Sequence, residues 1–269
     1  MSILTPFRWA GAKNKLLPNI MEYLNPILAN NTNFCEPFVG GACVALQVAK
    51  SYPAMQIHMA DKDFGLASFW KIVSNNDNAQ LLSMLKMMEA RPTLDLFYKL
   101  KETITDDPII MAYRVLFLNR TAFSGIISSG PIGGKDQKSK WKIDCRYNYS
   151  KLKTKILNCH SILKNRTIVE CCDFRNFEPL KSNNYAAYID PPYVKAGSIL
   201  YDHFMLEQDH KDLAQLLIDK DKWVLSYDDH PLIRELYKNC NIFDINAKYS
   251  IDGVKTTLKN KIEILILPK

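Results

Sequence analysis

Asp190-Pro191-Pro192-Tyr193 closes the apolar run Tyr185-Ala186-Ala187-Tyr188-Ile189 and places a carboxylate, two consecutive prolines and an aromatic ring side by side. That combination suits methyl transfer to an exocyclic amino group of a nucleobase. Such an amine is a poor nucleophile because its lone pair is delocalised into the ring. Asp190 can accept one amino hydrogen, and a backbone carbonyl held in the Pro-Pro segment can accept the other. Together they pull the nitrogen toward tetrahedral geometry, which is electrostatic stabilisation of the transition state rather than covalent catalysis. Proline fixes φ and removes competing N–H donors, so those carbonyls have a defined place. Tyr193 can stack on the base, which has to leave a duplex to be reached. Taken alone, the tetrapeptide reads equally well as a turn after a buried strand.

The elements around it decide between the two. Asn33-Phe34-Cys35-Glu36 reads as a short strand, Pro37-Phe38-Val39-Gly40-Gly41 as a turn, and Ala42 to Ala49 as the following helix. In a doubly wound sheet this first turn cradles a nucleotide-like ligand, since glycine lets the backbone approach closely. Gly40-Gly41 lacks the third glycine of the dinucleotide fingerprint, and no P-loop lysine follows, which argues against hydride transfer and against a nucleoside triphosphatase. Gln56-Ile57-His58-Met59-Ala60-Asp61 reads as a second strand ending in an acid, placed either to bind ribose hydroxyls or to cap the helix that begins near Phe64.

The strand pattern resumes at Ile168-Val169-Glu170-Cys171-Cys172, at Tyr185 to Asp190 and at Trp223-Val224-Leu225-Ser226-Tyr227. Gln208 to Asp219 and Pro231 to Asn239 read as helices, the second with proline in its first turn. Asn241 to Ser250 and Lys261 to Leu267 read as a closing antiparallel pair around a polar loop, Ile251 to Asn260. Between Leu66 and about Leu163 the apolar spacing turns helical, over Leu81 to Met88, Leu94 to Lys101 and Ile109 to Leu118. The loop from Ser128 to Lys140 is glycine-rich and cationic, and reads either as a DNA-ordered element or as a surface excursion.

These segments resemble the Dam-type (D12 class, alpha group) DNA adenine-N6 methyltransferases. The resemblance runs in the family's order: Phe7-Arg8-Trp9-Ala10-Gly11-Ala12-Lys13, Glu36 to Gly41, Ala60-Asp61, Phe117-Leu118-Asn119-Arg120-Thr121-Ala122-Phe123-Ser124-Gly125, Cys171-Cys172-Asp173-Phe174, and then Asp190-Pro191-Pro192-Tyr193. The segment Val194 to Tyr201 resembles a branch other than the GATC enzymes. The implied fold is a Rossmann-like α/β methyltransferase sheet with a terminal antiparallel hairpin. The catalytic domain would span 1–63 and 165–269, around an inserted, mainly helical target-recognition subdomain, 64–164.

The resemblance implies S-adenosylmethionine as methyl donor and no metal. It puts Trp9, Ala10, Gly11, Lys13, Glu36, Pro37, Phe38, Gly40, Asp61, Asp173, Phe174 and Asp190 at the cofactor. Asp173 would accept the cofactor's adenine amino group, and Phe174 would pack on its face. Trp9 also reads as core, and Lys13 as a surface cation. For DNA contact it implies Asn119, Arg120, Phe123 and Ser124, joined by Lys135, Arg146 and Asn148 from the loop and the segment after it. Packing or capping roles are open for all of these. Double-stranded DNA is the implied partner, with a cognate restriction endonuclease and a monomer or weak dimer as further expectations.

Composition bounds the rest. Lys plus Arg number 35 against 28 for Asp plus Glu, giving a net charge of +7 that favours a polyanionic partner. Seven cysteines without a CxxC pair speak against a zinc ribbon or a disulfide framework. Cys35, Cys43, Cys171 and Cys172 read as small apolar fillers. No Pro-Cys pair supplies the nucleophile of a C5-cytosine methyltransferase. With neither a signal leader nor a spanning apolar run, a cytoplasmic protein is the default expectation. The rivals are an N4-cytosine methyltransferase, which more often has serine in place of the aspartate, a catalytically silent DNA-binding module, and an RNA amine methyltransferase.

Overall fold

A computed structural model of the chain describes residues 5–8, 13–194, 204–247 and 261–269. Trp9, Ala10 and Gly11, the segment 195–201 and the loop 251–260 therefore lie outside the described residues.

The apolar runs form a seven-stranded sheet: β1 Asn33–Glu36, β2 Gln56–Asp61, β3 Thr167–Cys171, β4 Ala186–Ile189, β5 Trp223–Asp228, β6 Asn241–Ala247 and β7 Lys261–Leu267. Their order across the sheet is β3-β2-β1-β4-β5-β7-β6. The first five run parallel, and β7 enters antiparallel between β5 and β6. Burial follows from that order. Central β4 and β5 are buried at every position, as strands covered on both faces must be, whereas β3 at the edge keeps exposed positions.

Side chains alternate between two apolar layers with the period of the pleat. Phe34, Ile57, Met59, Tyr188, Val224 and Leu265 point into one core, and Cys35, Ala60, Ala187, Ile189, Leu225, Ile264 and Ile266 into the other. The first core is covered by α1 Leu17–Leu28, α2 Cys43–Ser51, α3 Phe64–Ser74, α4 Ala79–Met87, α5 Leu94–Glu102, α6 Pro108–Thr121 and α7 Tyr149–Leu163. The second is covered by α8 Glu178–Lys181, α9 Glu207–Leu217 and α10 Pro231–Leu236.

Helix starts are written in the chain. Asp63, Thr93, Asp107 and Asn148 each accept a first-turn amide of α3, α5, α6 and α7 in turn, and Pro108 and Pro231 sit where no N–H is needed. The helices of the expected insertion share the first core with the sheet: α3 packs on β2 and β3, on α6 and on α7. What stands apart from regular helix is the stretch 122–148 between α6 and α7. It opens with a 3-10 turn, Phe123–Gly125, closed by Phe123 N–H to Gly130 O (2.8 Å) and Ile132 N–H to Thr121 O (2.8 Å).

Candidate active site

Parallel strands deliver their carboxyl ends to one edge, and in an open α/β sheet ligands bind there, at the point where strand order reverses. Here that point lies between β1 and β4. Four acids arrive at this edge: Glu36 ends β1, Asp61 ends β2, Asp173 follows β3 and Asp190 follows β4. They line one open cleft with Lys13, Phe38, Gly40 and Phe174.

The glycine turn is held rather than loose. Gly40 has φ +44°, its N–H donates to Asp61 Oδ2 (2.9 Å), and its carbonyl accepts from Trp70 Nε1 (2.8 Å). A Cβ placed on Gly40 would meet nothing within 4 Å, so the turn faces open cleft. Asp61 Oδ1 accepts from the Asp63 amide (3.0 Å). Asp63, not Asp61, caps α3, so the capping role offered for Asp61 falls away. Burial, with Asp63 adding to it, pushes the Asp61 carboxyl up to about 7 against the pull of three backbone amides. Glu36 is buried and bonds the Ala45 amide in α2's first turn (2.8 Å); burial, less that bond, and the neighbouring acids hold its pKa well above the carboxylate range.

The far wall of the cleft is aromatic and charged. Phe38 and Phe174 lie 5.5 Å apart. Asp173 caps the 3-10 turn Phe174–Asn176 through the Arg175 amide (3.1 Å) and pairs with the Arg175 guanidinium (3.0 Å) and with Lys62 (3.3 Å). Burial works against its ionised form, but these partners outweigh it and hold the carboxyl below its usual range. Arg175 also binds Asp209 and Asp212 of α9 and covers the Phe174 ring at 4.6 Å.

On the near wall, Asp190 Oδ1 accepts from Lys13 Nζ (2.9 Å) and from Ser226 Oγ (3.0 Å), and Ser226 in turn shares a bond with Tyr188 Oη (2.8 Å). Pro191 is buried, while Pro192 reaches the cleft. Tyr193 Oη donates to Glu263 Oε2 of β7 (3.1 Å), and Lys13 Nζ stands 4.7 Å over its ring. Lys13 is buried, not a surface cation.

The expected DNA residues separate into groups. Asn119 is fully buried: it accepts from the Arg8 amide (2.7 Å) and donates to Arg8 O (2.8 Å) and Gly125 O (2.9 Å). It braces two backbone segments and presents no edge to DNA, contrary to the expectation. Asn148 is exposed, but its oxygen is committed to capping α7 at the Lys151 amide (3.0 Å). Tyr147, expected between two contact residues, is buried with its hydroxyl on Met88 O (3.0 Å).

Phe123, Lys135 and Arg146 face outward, whereas Ser124 and Arg120 are half-buried. Phe123 is 64% exposed at the 3-10 turn, beside Ser124 at φ +56°. Lys135 and Arg146 are exposed. Arg120 lies at the end of α6, where burial, then the charges of Arg8 and Arg146, lower its pKa to about 10. Cys171 is exposed, since it ends an edge strand, and so is not the apolar filler expected; Cys35 is.

Trp70, Arg175, Ser226 and Glu263 escaped the sequence reading. Each is a single residue outside any motif, brought beside the cleft by strand order for Ser226 and Glu263, by α3 for Trp70 and by the 3-10 turn after β3 for Arg175. Trp141 escaped as well: it is 57% exposed, with Lys140 and Arg146 at 5.5 and 5.9 Å from its ring.

A glycine turn after β1, an acid after β2, Asp-Pro-Pro-Tyr after β4 and a parallel sheet closed by an antiparallel hairpin define a Rossmann-like methyltransferase. The chain belongs to the D12 class N6 adenine-specific DNA methyltransferases, whose family profile matches residues 9–251. It is an enzyme that methylates adenine in DNA at specific sites, with S-adenosylmethionine as donor. Among its relatives, the type II methyltransferase M1.LlaDCHI of Lactococcus lactis subsp. cremoris is 26% identical, over 98% of this chain and 95% of that protein. The type II methyltransferase M.CviBI of Paramecium bursaria Chlorella virus NC1A is 22% identical over 90% and 89%. The retron Ec67 DNA adenine methylase of Escherichia coli is 24% identical over 97% and 90%. No helix among the described residues is long and apolar enough to cross a membrane.

Proposed function

We propose that the cleft performs direct, in-line methylation of an adenine N6 that has been rotated out of duplex DNA. The observation that carries this reading is Asp190 at the end of β4, fixed by Lys13 and Ser226, beside a cleft that also presents Gly40, Asp61 and Phe174. S-adenosylmethionine supplies an electrophilic methyl group when bound. Asp61 accepts ribose hydroxyls, Phe38 and Phe174 enclose its adenine, and Asp173 accepts that adenine's amino hydrogens. Glu36, Pro37 and Gly40 form the floor, with Trp9, Ala10, Gly11 and Lys13 as the leading segment.

Asp190 accepts one hydrogen of the target amine, and a backbone carbonyl of the Pro191-Pro192 segment accepts the other, turning the lone pair toward the donor side. Tyr193 stacks on the base. Alignment of two held reactants is the main resource, worth roughly 7–11 kcal/mol of barrier. DNA lies along residues 122–148, with Phe123 and Ser124 at the displaced base and Arg120, Lys135 and Arg146 on phosphates. The insertion 64–164 carries target recognition on this view, and its helices brace that segment against the sheet. A cognate restriction endonuclease, a cytoplasmic setting on DNA and action as a monomer or weak dimer complete the proposal, and the type II names among the relatives bear on the first of these alone.

Asp190→Ala tests the reading. The expected outcome is complete loss of methylation with S-adenosylmethionine binding measured by calorimetry in parallel. Near wild-type turnover would sink the assignment. Digesting the methylated DNA to nucleosides should yield N6-methyl-2′-deoxyadenosine, and N4-methyl-2′-deoxycytidine would transfer the site to the rival chemistry.

A further inference from the structure

Glu263 is an acid in a place where the chain otherwise puts aliphatic residues. It lies in β7 opposite Asp228 of β5 and Ile245 of β6, is 2% exposed, and is followed by buried Ile264, Leu265 and Ile266. A carboxylate at that depth is costly unless it is paired and hydrogen-bonded. Its partners belong to the reacting wall. Glu263 Oε2 accepts from Tyr193 Oη at 3.1 Å and lies 3.8 Å from Lys13 Nζ. The same ammonium is 2.9 Å from Asp190 Oδ1 and 4.7 Å above the Tyr193 ring centre.

Two consequences follow from these distances. Tyr193 is fixed twice, by its hydroxyl at the ring edge and by a cation on the ring face, so the plane of the ring is set before any base arrives. Lys13 is shared between carboxylates on two strands, which keeps it beside Asp190 without neutralising Asp190 alone.

We infer that Glu263 is a positioning residue for methyl transfer: through Tyr193 it sets the surface on which the target base stacks, and through Lys13 it holds the acceptor carboxylate in place. This rests on the reading of Asp190 to Tyr193 as the amine site. Gly40, Asp61 and Phe174 are held by partners other than Glu263, whose link to the leading cofactor segment is Lys13, so cofactor affinity is predicted to change less than the rate.

Single-turnover methylation at saturating cofactor and DNA tests the inference in Glu263→Gln, Tyr193→Phe and the double variant, with thermal midpoints and calorimetric S-adenosylmethionine affinities alongside. Glu263→Gln is expected to slow transfer about 10- to 100-fold, the range of one hydrogen bond to a charged group, with cofactor affinity within about three-fold. The double variant should be no slower than the slower single variant, since both changes act on one contact. Fully additive losses, or a folded Glu263→Gln that transfers at the wild-type rate, overturn the inference. If Glu263→Gln does not fold, Tyr193→Phe decides alone: slower transfer at unchanged cofactor affinity supports it, and a wild-type rate overturns it. Asp190→Ala separates the two claims. An active Asp190→Ala fails the amine-site reading itself, whereas an inactive Asp190→Ala beside a fully active Glu263→Gln fails only the role given to Glu263.

Discussion

Asp61 shows how one carboxyl couples cofactor, proton and fold. Its pKa in the folded protein is raised from 3.8 to about 7, burial first and Asp63 second. Between those two values the folded chain keeps a proton that the unfolded chain has lost. On account of Asp61 the unliganded protein therefore loses stability as pH rises from about 4 to 7, and the loss levels off above 7. Ribose hydroxyls need the ionised form, so cofactor affinity should run the other way and rise through pH 7. Thermal melts with and without S-adenosylmethionine at pH 6 and 8 check this. The ligand-induced rise in Tm is expected to be larger at pH 8, and Asp61→Asn should flatten the difference. An equal rise at both pH values would remove Asp61 from the ribose site. Asp61 was legible in the sequence because a strand ending in an acid has a known use. Trp70, which holds the same turn from α3, was not, because nothing in an apolar helix marks which indole finds a carbonyl thirty positions away.

At the scale of elements, α6 and the turn after it carry the clearest mismatch between pattern and packing. Strand ends were legible because apolar runs stop at glycine, proline and acids, and β2 begins and ends as the residue types suggest. The face of α6 was not. Positions from Val115 to Asn119 are all buried, so helical periodicity gave no inward side, and a polar pair at the helix end looked available to DNA. Asn119 instead ties Arg8 to Gly125, and Gly125 has φ +77° with Arg8 O only 2.1 Å from where a Cβ would stand. Gly125→Ala is therefore expected to cost about 3 kcal/mol from strain and overpacking together. Asn119→Ala should cost about 1–3 kcal/mol by orphaning buried backbone groups. Phe123→Ala, on the exposed rim of the same turn, should leave Tm within about a degree while weakening DNA binding. Chemical denaturation and anisotropy titration of the three variants distinguish bracing from contact. A stable Asn119→Ala that binds DNA poorly would return Asn119 to the contact surface.

Across the whole molecule the net charge of +7 is modest, and its distribution matters more than its sum. The stretch 122–148 holds Lys135, Lys138, Lys140, Lys142 and Arg146 against Asp136 and Asp144. It is a stitched loop: Gln137 donates to Ile132 O (2.8 Å) and Gly134 O (2.7 Å) and accepts from the Ile143 amide (2.9 Å), and Lys101 binds Ser128 O (2.7 Å) and Ser129 O (2.8 Å) from α5. The sequence left this loop between surface excursion and DNA-ordered element, because composition reports charge and glycine but not a glutamine used as a clamp. A loop already shaped before binding loses less conformational entropy on DNA. Its lysines then act as phosphate contacts whose number can be read from salt dependence, since each contact on duplex DNA contributes about 0.9 to the slope of log K against log salt. Replacing Lys135, Lys138 and Lys140 together with Gln should flatten that slope by up to about 3, with methylation at saturating DNA little changed because Asp190 and the cofactor wall are untouched. Replacing Gln137 with Ala should leave the slope near its original value, because no cation is lost, and weaken binding at every salt concentration by the cost of ordering the loop. Anisotropy titrations at several salt concentrations measure both. An unchanged slope in the triple variant would place the DNA track elsewhere on the molecule, and a Gln137→Ala protein that binds as tightly as wild type would mean that the stitching contributes nothing to DNA affinity.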